Sequence, residues 1–117
     1  MANYKKNLEE VAEHLQDNEE IKYSVFGAFM SNKIRNQGVM NGIFVATSSR
    51  IVFFSKSHYY GYDLESFPFE TISSIEMTKK LIGYKIKVFL SGNSVSLKWI
   101  KKGDAQQFTE YVNSMIY

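Results

Sequence analysis

Between Lys79 and Lys102 the chain carries seven lysines and no acid, and this cluster is the strongest chemical feature in the sequence. Lys85, Lys87 and Lys98 fall at alternating positions of two apolar runs, so their ammonium groups share one face, with Lys79, Lys80, Lys101 and Lys102 at its ends. Such a face can gather anionic lipid headgroups or an acidic protein. It can also do no more than keep a sheet edge soluble and unpaired. Nucleic acid is not expected, because aromatic residues for base stacking are not interleaved with the lysines.

Catalytic chemistry has little to build on. His58 lies among Tyr59, Tyr60 and Asp63 and could serve as a general base, but no serine nucleophile or glycine elbow accompanies it. His14 falls near Glu10 and Glu13 on a short amphipathic stretch, in the manner of a surface residue. Gly83, Gly92 and Gly103 are isolated turn glycines without the spacing of a phosphate loop. With no cysteine and two histidines, a disulfide framework, a thiolate metal site and a histidine-only site are excluded. The expectation is a non-enzymatic protein with no cofactor, no metal and no small-molecule substrate.

The chain has 117 residues, enough for one domain that buries roughly two thirds of the surface its unfolded form exposes. Eight Tyr, nine Phe and a single Pro suit a β-rich domain better than a helical bundle or a disordered tail. No apolar run precedes the first acids, as a signal peptide would require, and no stretch approaches the roughly 18 apolar residues of a membrane span. A cytoplasmic location follows as the expectation, with the membrane periphery as its alternative. The net charge of +2 hides a polar distribution: Glu9, Glu10, Glu13, Asp17, Glu19 and Glu20 are half of all the acids and stand opposite the basic segment in sequence.

The elements that must position the lysines are centred on residues 42–56. Two runs rich in Val, Ile and Phe, separated by Thr47-Ser48-Ser49-Arg50, predict adjacent strands over 39–47 and 50–56. Apolar residues occupy both parities, so both faces of these strands need cover. Before them, Asn7-Leu8-Glu9-Glu10 has the form of a capping box, and Leu8, Val11, Ala12 and Leu15 make one helical stripe ending near Asp17-Asn18. Period-two alternation predicts a first strand over 20–29, followed by a loop over 30–38. A fourth strand is expected over 58–63, and Phe67-Pro68 should interrupt the sheet. A fifth strand covers 72–79, with a turn at Leu81-Ile82-Gly83.

The last hairpin alternates most regularly. A Gly92-Asn93 turn would pair Leu90 with Val95, Val88 with Leu97 and Ile86 with Trp99, all facing inward. That register sets Lys87 opposite Lys98, a like-charge pair costing about a few tenths of a kcal/mol. Phe89 falls outward beside Ser96, to be covered by the N-terminal helix or by a neighbouring subunit. Asp104-Ala105-Gln106-Gln107 forms a second capping box, and Phe108, Tyr111, Val112 and Met115 give the C-terminal helix an apolar face.

Seven strands followed by one amphipathic helix is the order of a pleckstrin homology (PH) domain. The chain resembles the YokE-like bacterial PH family in Gly42-Ile43-Phe44-Val45-Ala46-Thr47-Ser48-Ser49-Arg50-Ile51-Val52-Phe53-Phe54, in 67–76 and in Leu81-Ile82-Gly83-Tyr84-Lys85-Ile86, and more loosely it resembles GRAM domains. The resemblance implies a partly open antiparallel barrel of two orthogonal sheets, capped by the C-terminal helix, over residues 19–117, with residues 1–18 as an added helix. Many eukaryotic PH domains bind phosphoinositides through basic residues near the first two strands, and Lys22, Lys33 and Arg35 fit that pattern. The leading functional expectation is a binding or scaffolding domain acting through protein contacts, self-association included, with Phe89 as a contact. The second is a peripheral membrane module that holds anionic lipid through the lysine hairpin or the Lys33–Arg35 loop.

Overall fold

Two adjacent strands that are apolar on both faces must be covered twice, and the chain does so with one bent sheet and one short helix. The computed structural model describes residues 4–31, 40–57 and 61–116. In chain order these form α1 (Tyr4–Ala12), β1 (Tyr23–Ser31), β2 (Met40–Ala46), β3 (Arg50–Ser57), β4 (Gly61–Pro68), a 3-10 turn (Phe69–Thr71), β5 (Ile72–Lys79), β6 (Tyr84–Leu90), β7 (Asn93–Gly103) and α2 (Ala105–Met115). The seven strands make a single antiparallel sheet in the order β4-β3-β2-β1-β7-β6-β5. Its two edges, β4 and β5, are consecutive in the chain and are not paired with each other, so the barrel is partly open.

The inner face of β2 and β3 supplies Phe44, Ala46, Ile51 and Phe53 to the main core. Phe29 stacks on Phe53 at 3.8 Å between centroids and meets Phe44 edge-on at 5.8 Å. Phe108 and Val112 of α2, both fully buried, plug the open end of the curl. Asp104 caps α2 as its sequence predicts, accepting from the Gln107 amide at 2.9 Å. Met115, expected to close the core, is exposed, and Ala105 and Ile116 pack there instead.

On the outer face, Ile43, Val45, Val52 and Phe54 form a second cluster beneath Val11 of α1. This helix begins at Tyr4 rather than at an Asn7 cap, and Asn7 is buried within it. The reason lies in Tyr4, which meets Ser24 Oγ at 2.6 Å and packs its ring edge on Phe26, so the first turn is anchored by β1. Because α1 covers β2 and β3, it does not cover Phe89 on β6.

Three strand boundaries differ from expectation. The run β1 continues through Met30 and Ser31, into what reads as loop. The fourth strand extends to Pro68, which ends an edge strand facing Arg50 and so interrupts no ladder; residues 58–60 lie outside the described residues. In the last hairpin the turn is Ser91-Gly92, with Gly92 at φ +84°, so Leu90 pairs with Asn93, Val88 with Val95 and Ile86 with Leu97. This register is two residues away from the expected one. A slip of two keeps each side chain on its face, and the apolar pattern therefore cannot tell the two registers apart. Lys87 faces Ser96 across the hairpin, not Lys98.

The segment before β1 is latched to the β2–β3 turn. Arg50 grips Glu19 with two bonds, Nε to Oε2 at 2.7 Å and Nη2 to Oε1 at 2.8 Å, and Thr47 Oγ1 donates to the same carboxylate at 2.7 Å. The Glu19 side chain is only 3% exposed. The Arg50 hydrogen bond outweighs desolvation and holds its pKa at about 2, below the ordinary 4.5. A pKa lowered by folding contributes stability that is complete above about pH 4.5 and lost as pH falls toward 2. Glu19→Gln is expected to remove roughly 2 kcal/mol at neutral pH and to flatten the acid limb, as measured by urea unfolding from pH 7 to 2. Wild-type and variant stabilities that fall in parallel with acid would refute this role for the latch.

Candidate functional site

At the far end of the β5–β6 hairpin the chain turns on Lys80-Leu81-Ile82-Gly83, closed by a bond from the Lys80 amide to the Gly83 carbonyl at 2.9 Å. Gly83 has φ +72°, a conformation that other residues enter only at a cost. A Cβ there would also lie 2.7 Å from the Ile100 carbonyl oxygen, so the turn is packed tightly on β7. The two residues at its tip are both apolar: Leu81 is 100% exposed and Ile82 53%.

Beside this tip β7 bulges. On one side Tyr84 pairs with Ile100 and Ile86 with Leu97, so Lys85 alone faces Lys98 and Trp99. On the other side Phe26 pairs with Lys102 and Ala28 with Lys98, so Gly27 alone faces Trp99, Ile100 and Lys101. The extra residue lets Leu97 and Ile100 both point into the core and turns Trp99 outward, 50% exposed, at φ +55°. The expectation that Trp99 faces inward opposite Ile86 is thereby corrected.

Lys80, Leu81, Ile82, Lys85, Lys98 and Trp99 line one hollow of about 360 Å³. A second, of about 220 Å³, is also lined by Trp99, with Lys101 and Lys102 among its other lining residues. Burial pushes the Lys85 pKa down, and the nearby charges of Lys98, Lys80 and Lys87 push it further, with Glu76 opposing. The arrangement is an apolar projection set among cations that form no salt bridge among the described residues. It can accept an anionic surface that also has an apolar interior.

The other candidate residues are dispersed. Lys22 precedes β1 and pairs with Glu20 at 3.4 Å, and Lys33 and Arg35 lie outside the described residues, as does His58. Lys87 faces Glu76 on β5 and sits 5.0 Å over the Phe89 ring, which is half-buried. His14 packs against Tyr62 at 4.4 Å between centroids, with the rings tilted by 44°. Among the described residues no group of three or more His, Asp or Glu could hold a metal ion. A cleft of about 750 Å³ at the β4–β5 seam is lined by Glu65 and Glu70 and by no basic residue.

Leu81, Ile82 and Trp99 escaped the sequence reading. The available signals were two large aliphatic residues where a turn calls for polar ones, and a tryptophan between Lys98 and Lys101.

The order of seven strands and a capping helix, with the open seam and the two-sided β2–β3 pair, defines a PH-like barrel. The profile of the family described as "Bacterial PH domain" matches residues 15–114, and the chain belongs to that family. Among solved structures it is similar to a DUF1696 family protein with a pleckstrin-homology domain from Shewanella loihica PV-4, at 17% identity over 99% of this chain and 95% of that one, with a TM-score of 0.65. It is also similar to a pleckstrin homology domain from Shewanella amazonensis SB2B, at 17% identity over 99% and 90%, TM-score 0.61, and to the Vps36 N-terminal PH domain, at 14% over 87% and 82%, TM-score 0.63. These identities speak for the fold alone. No curated protein matches the chain.

The tight seat of Gly83 makes a direct test of how the tip is held. Gly83→Ala adds a Cβ clash to an unfavourable φ and is expected to cost more than about 1 kcal/mol. Gly92→Ala, at φ +84° with nothing within 4 Å of its Cβ, meets the backbone cost alone, about 1–2 kcal/mol, and should cost less. Equal losses in chemical denaturation would show that the contact with Ile100 does not hold the turn.

Proposed function

We propose that this domain is a peripheral membrane module that adsorbs to anionic bilayers through the tip of the β5–β6 hairpin and the β7 bulge. The observation that carries the reading is the fully exposed Leu81, with Ile82 and Trp99 beside it, ringed by Lys80, Lys85, Lys98, Lys101 and Lys102. Aliphatic side chains at a tip gain by leaving water, about 1.5–3 kcal/mol each when fully buried. Each lysine near an anionic surface adds about 1 kcal/mol. Together they give reversible, salt-sensitive adsorption rather than the permanent hold of a spanning helix; among the described residues no helix is long and apolar enough to cross a membrane.

PH-like folds typically serve binding, and a domain acting through protein contacts is the reading that the lysines alone leave open. The membrane reading is favoured by the site itself: Phe89, the proposed protein contact, is half-covered and lies under Lys87, whereas the tip offers bare aliphatic surface with cations around it. Residues 1–18 are in this reading a segment added to the domain of 19–117, whose helix Tyr4–Ala12 covers the outer face of β2 and β3; the family match begins after that helix, at residue 15.

Sedimentation with phosphatidylserine-containing vesicles at low and physiological salt tests the proposal. Wild-type protein is expected to bind at low salt, weaken as salt rises, and ignore pure phosphatidylcholine. Lys85→Glu combined with Lys98→Glu should lower affinity at least about tenfold, and Leu81→Ser combined with Ile82→Ser should do the same at any salt. Failure to sediment with anionic vesicles at low salt would overturn the proposal, as would equal binding to neutral ones.

A further inference from the structure

We infer that Trp99 is the depth anchor of this surface, held in a strained outward pose by the β7 bulge so that its indole enters the bilayer interface beside two lysine-lined hollows. The inference rests on the membrane reading above and assigns a positioning role within it. Trp99 is the one non-glycine residue at positive φ among the described residues. A left-handed conformation is unfavourable for a bulky L-residue, and burying the indole would be the ordinary use of a tryptophan in a small β-domain.

The surrounding backbone holds that pose from both sides. Gly27 on β1 is where a Cβ would lie 2.5 Å from the Lys98 carbonyl oxygen, and at Gly83 it would lie 3.0 Å from the Trp99 carbonyl carbon. Two glycines on opposite neighbours thus admit the bulge, and the bulge reverses the indole. Core packing does not need the indole in this position, because Leu97 and Ile100 already fill the inward places. What the pose does provide is a residue that lines both hollows, the one with Lys80, Lys85 and Lys98 and the one with Lys101 and Lys102. A flat ring with a polar N–H, flanked by ammonium groups, suits the headgroup region where one edge is apolar and the other wet.

The chain has a single tryptophan, so emission excited beyond the absorption of its tyrosines reports on Trp99 alone. On addition of phosphatidylserine-containing vesicles the emission is expected to shift to the blue, and brominated lipids should quench it most when bromine lies near the glycerol end of the acyl chain. Trp99→Gly relieves the backbone strain and is expected to unfold at no lower temperature than wild type while losing about tenfold or more in vesicle affinity; Trp99→Phe should recover part of that loss. The anchor is overturned, with the membrane proposal intact, if wild type sediments with anionic vesicles but its emission and quenching do not change, or if Trp99→Gly binds as wild type does. If wild type does not sediment at low salt and its emission stays fixed, both fall together. If Trp99→Gly loses stability along with binding, the indole is a packing residue and the inference fails.

Discussion

The constraint on which this structure depends is that β2 and β3 are apolar on both faces. An antiparallel pair in a small domain commonly leaves one face to water, but here Phe44 and Phe53 point one way while Ile43, Val45, Val52 and Phe54 point the other. The inner set draws the other strands round itself, because only a bent sheet with α2 at its open end encloses so many phenylalanines. The outer set needs the second cover, and α1 provides it through Val11. The Glu19–Arg50 latch fixes the segment between that cover and β1 to the turn joining the two strands, and Tyr111 of α2 donates to the Thr47 carbonyl of the same turn at 3.1 Å. One four-residue turn therefore ties both helices to the central pair.

With the apolar demand met there, the β5–β6 tip and the β7 bulge carry features that do nothing for stability. Trp99 at positive φ, Leu81 without cover and Lys85 crowded by other cations each run against the folding free energy. Departures of this kind collect where a protein works rather than where it holds together. Their concentration at one turn and one bulge is what supports the proposal that this region is the binding surface.

How much of this could be read from the chain varies with the kind of information each feature needs. The central pair was legible because its evidence is compositional: both parities of 43–46 and 51–54 are apolar and rich in Val, Ile and Phe, so both faces need cover. The C-terminal helix was legible from Asp104 and the stripe that follows. The start of α1 was not, since Asn7 and Glu10 imitate a capping box while the anchoring of Tyr4 on Ser24 and Phe26 is a tertiary event. The boundaries of β4 were obscured by Pro68, which reads as a breaker until the strand is known to be an edge.

The hairpin of β6 and β7 shows where pattern reasoning reaches its limit. Alternation has period two, so it assigns faces and is blind to a slip of two residues; Val88, Val95 and Leu97 face the core in either register. The choice falls to Gly92, which takes the last position of the turn in left-handed geometry and leaves Asn93 to begin the strand. A bulge is harder still to see, because it changes the phase of every residue beyond it without altering the composition. Extrapolated alternation sends Trp99 inward and Ile100 outward, and one inserted residue exchanges them. The trace it leaves lies in the neighbours, where Gly27 and Gly83 occupy places that admit no side chain. The lysines were thus visible from their count, while the outward pose of Trp99 beside them became visible only once backbone packing had set the phase of β7.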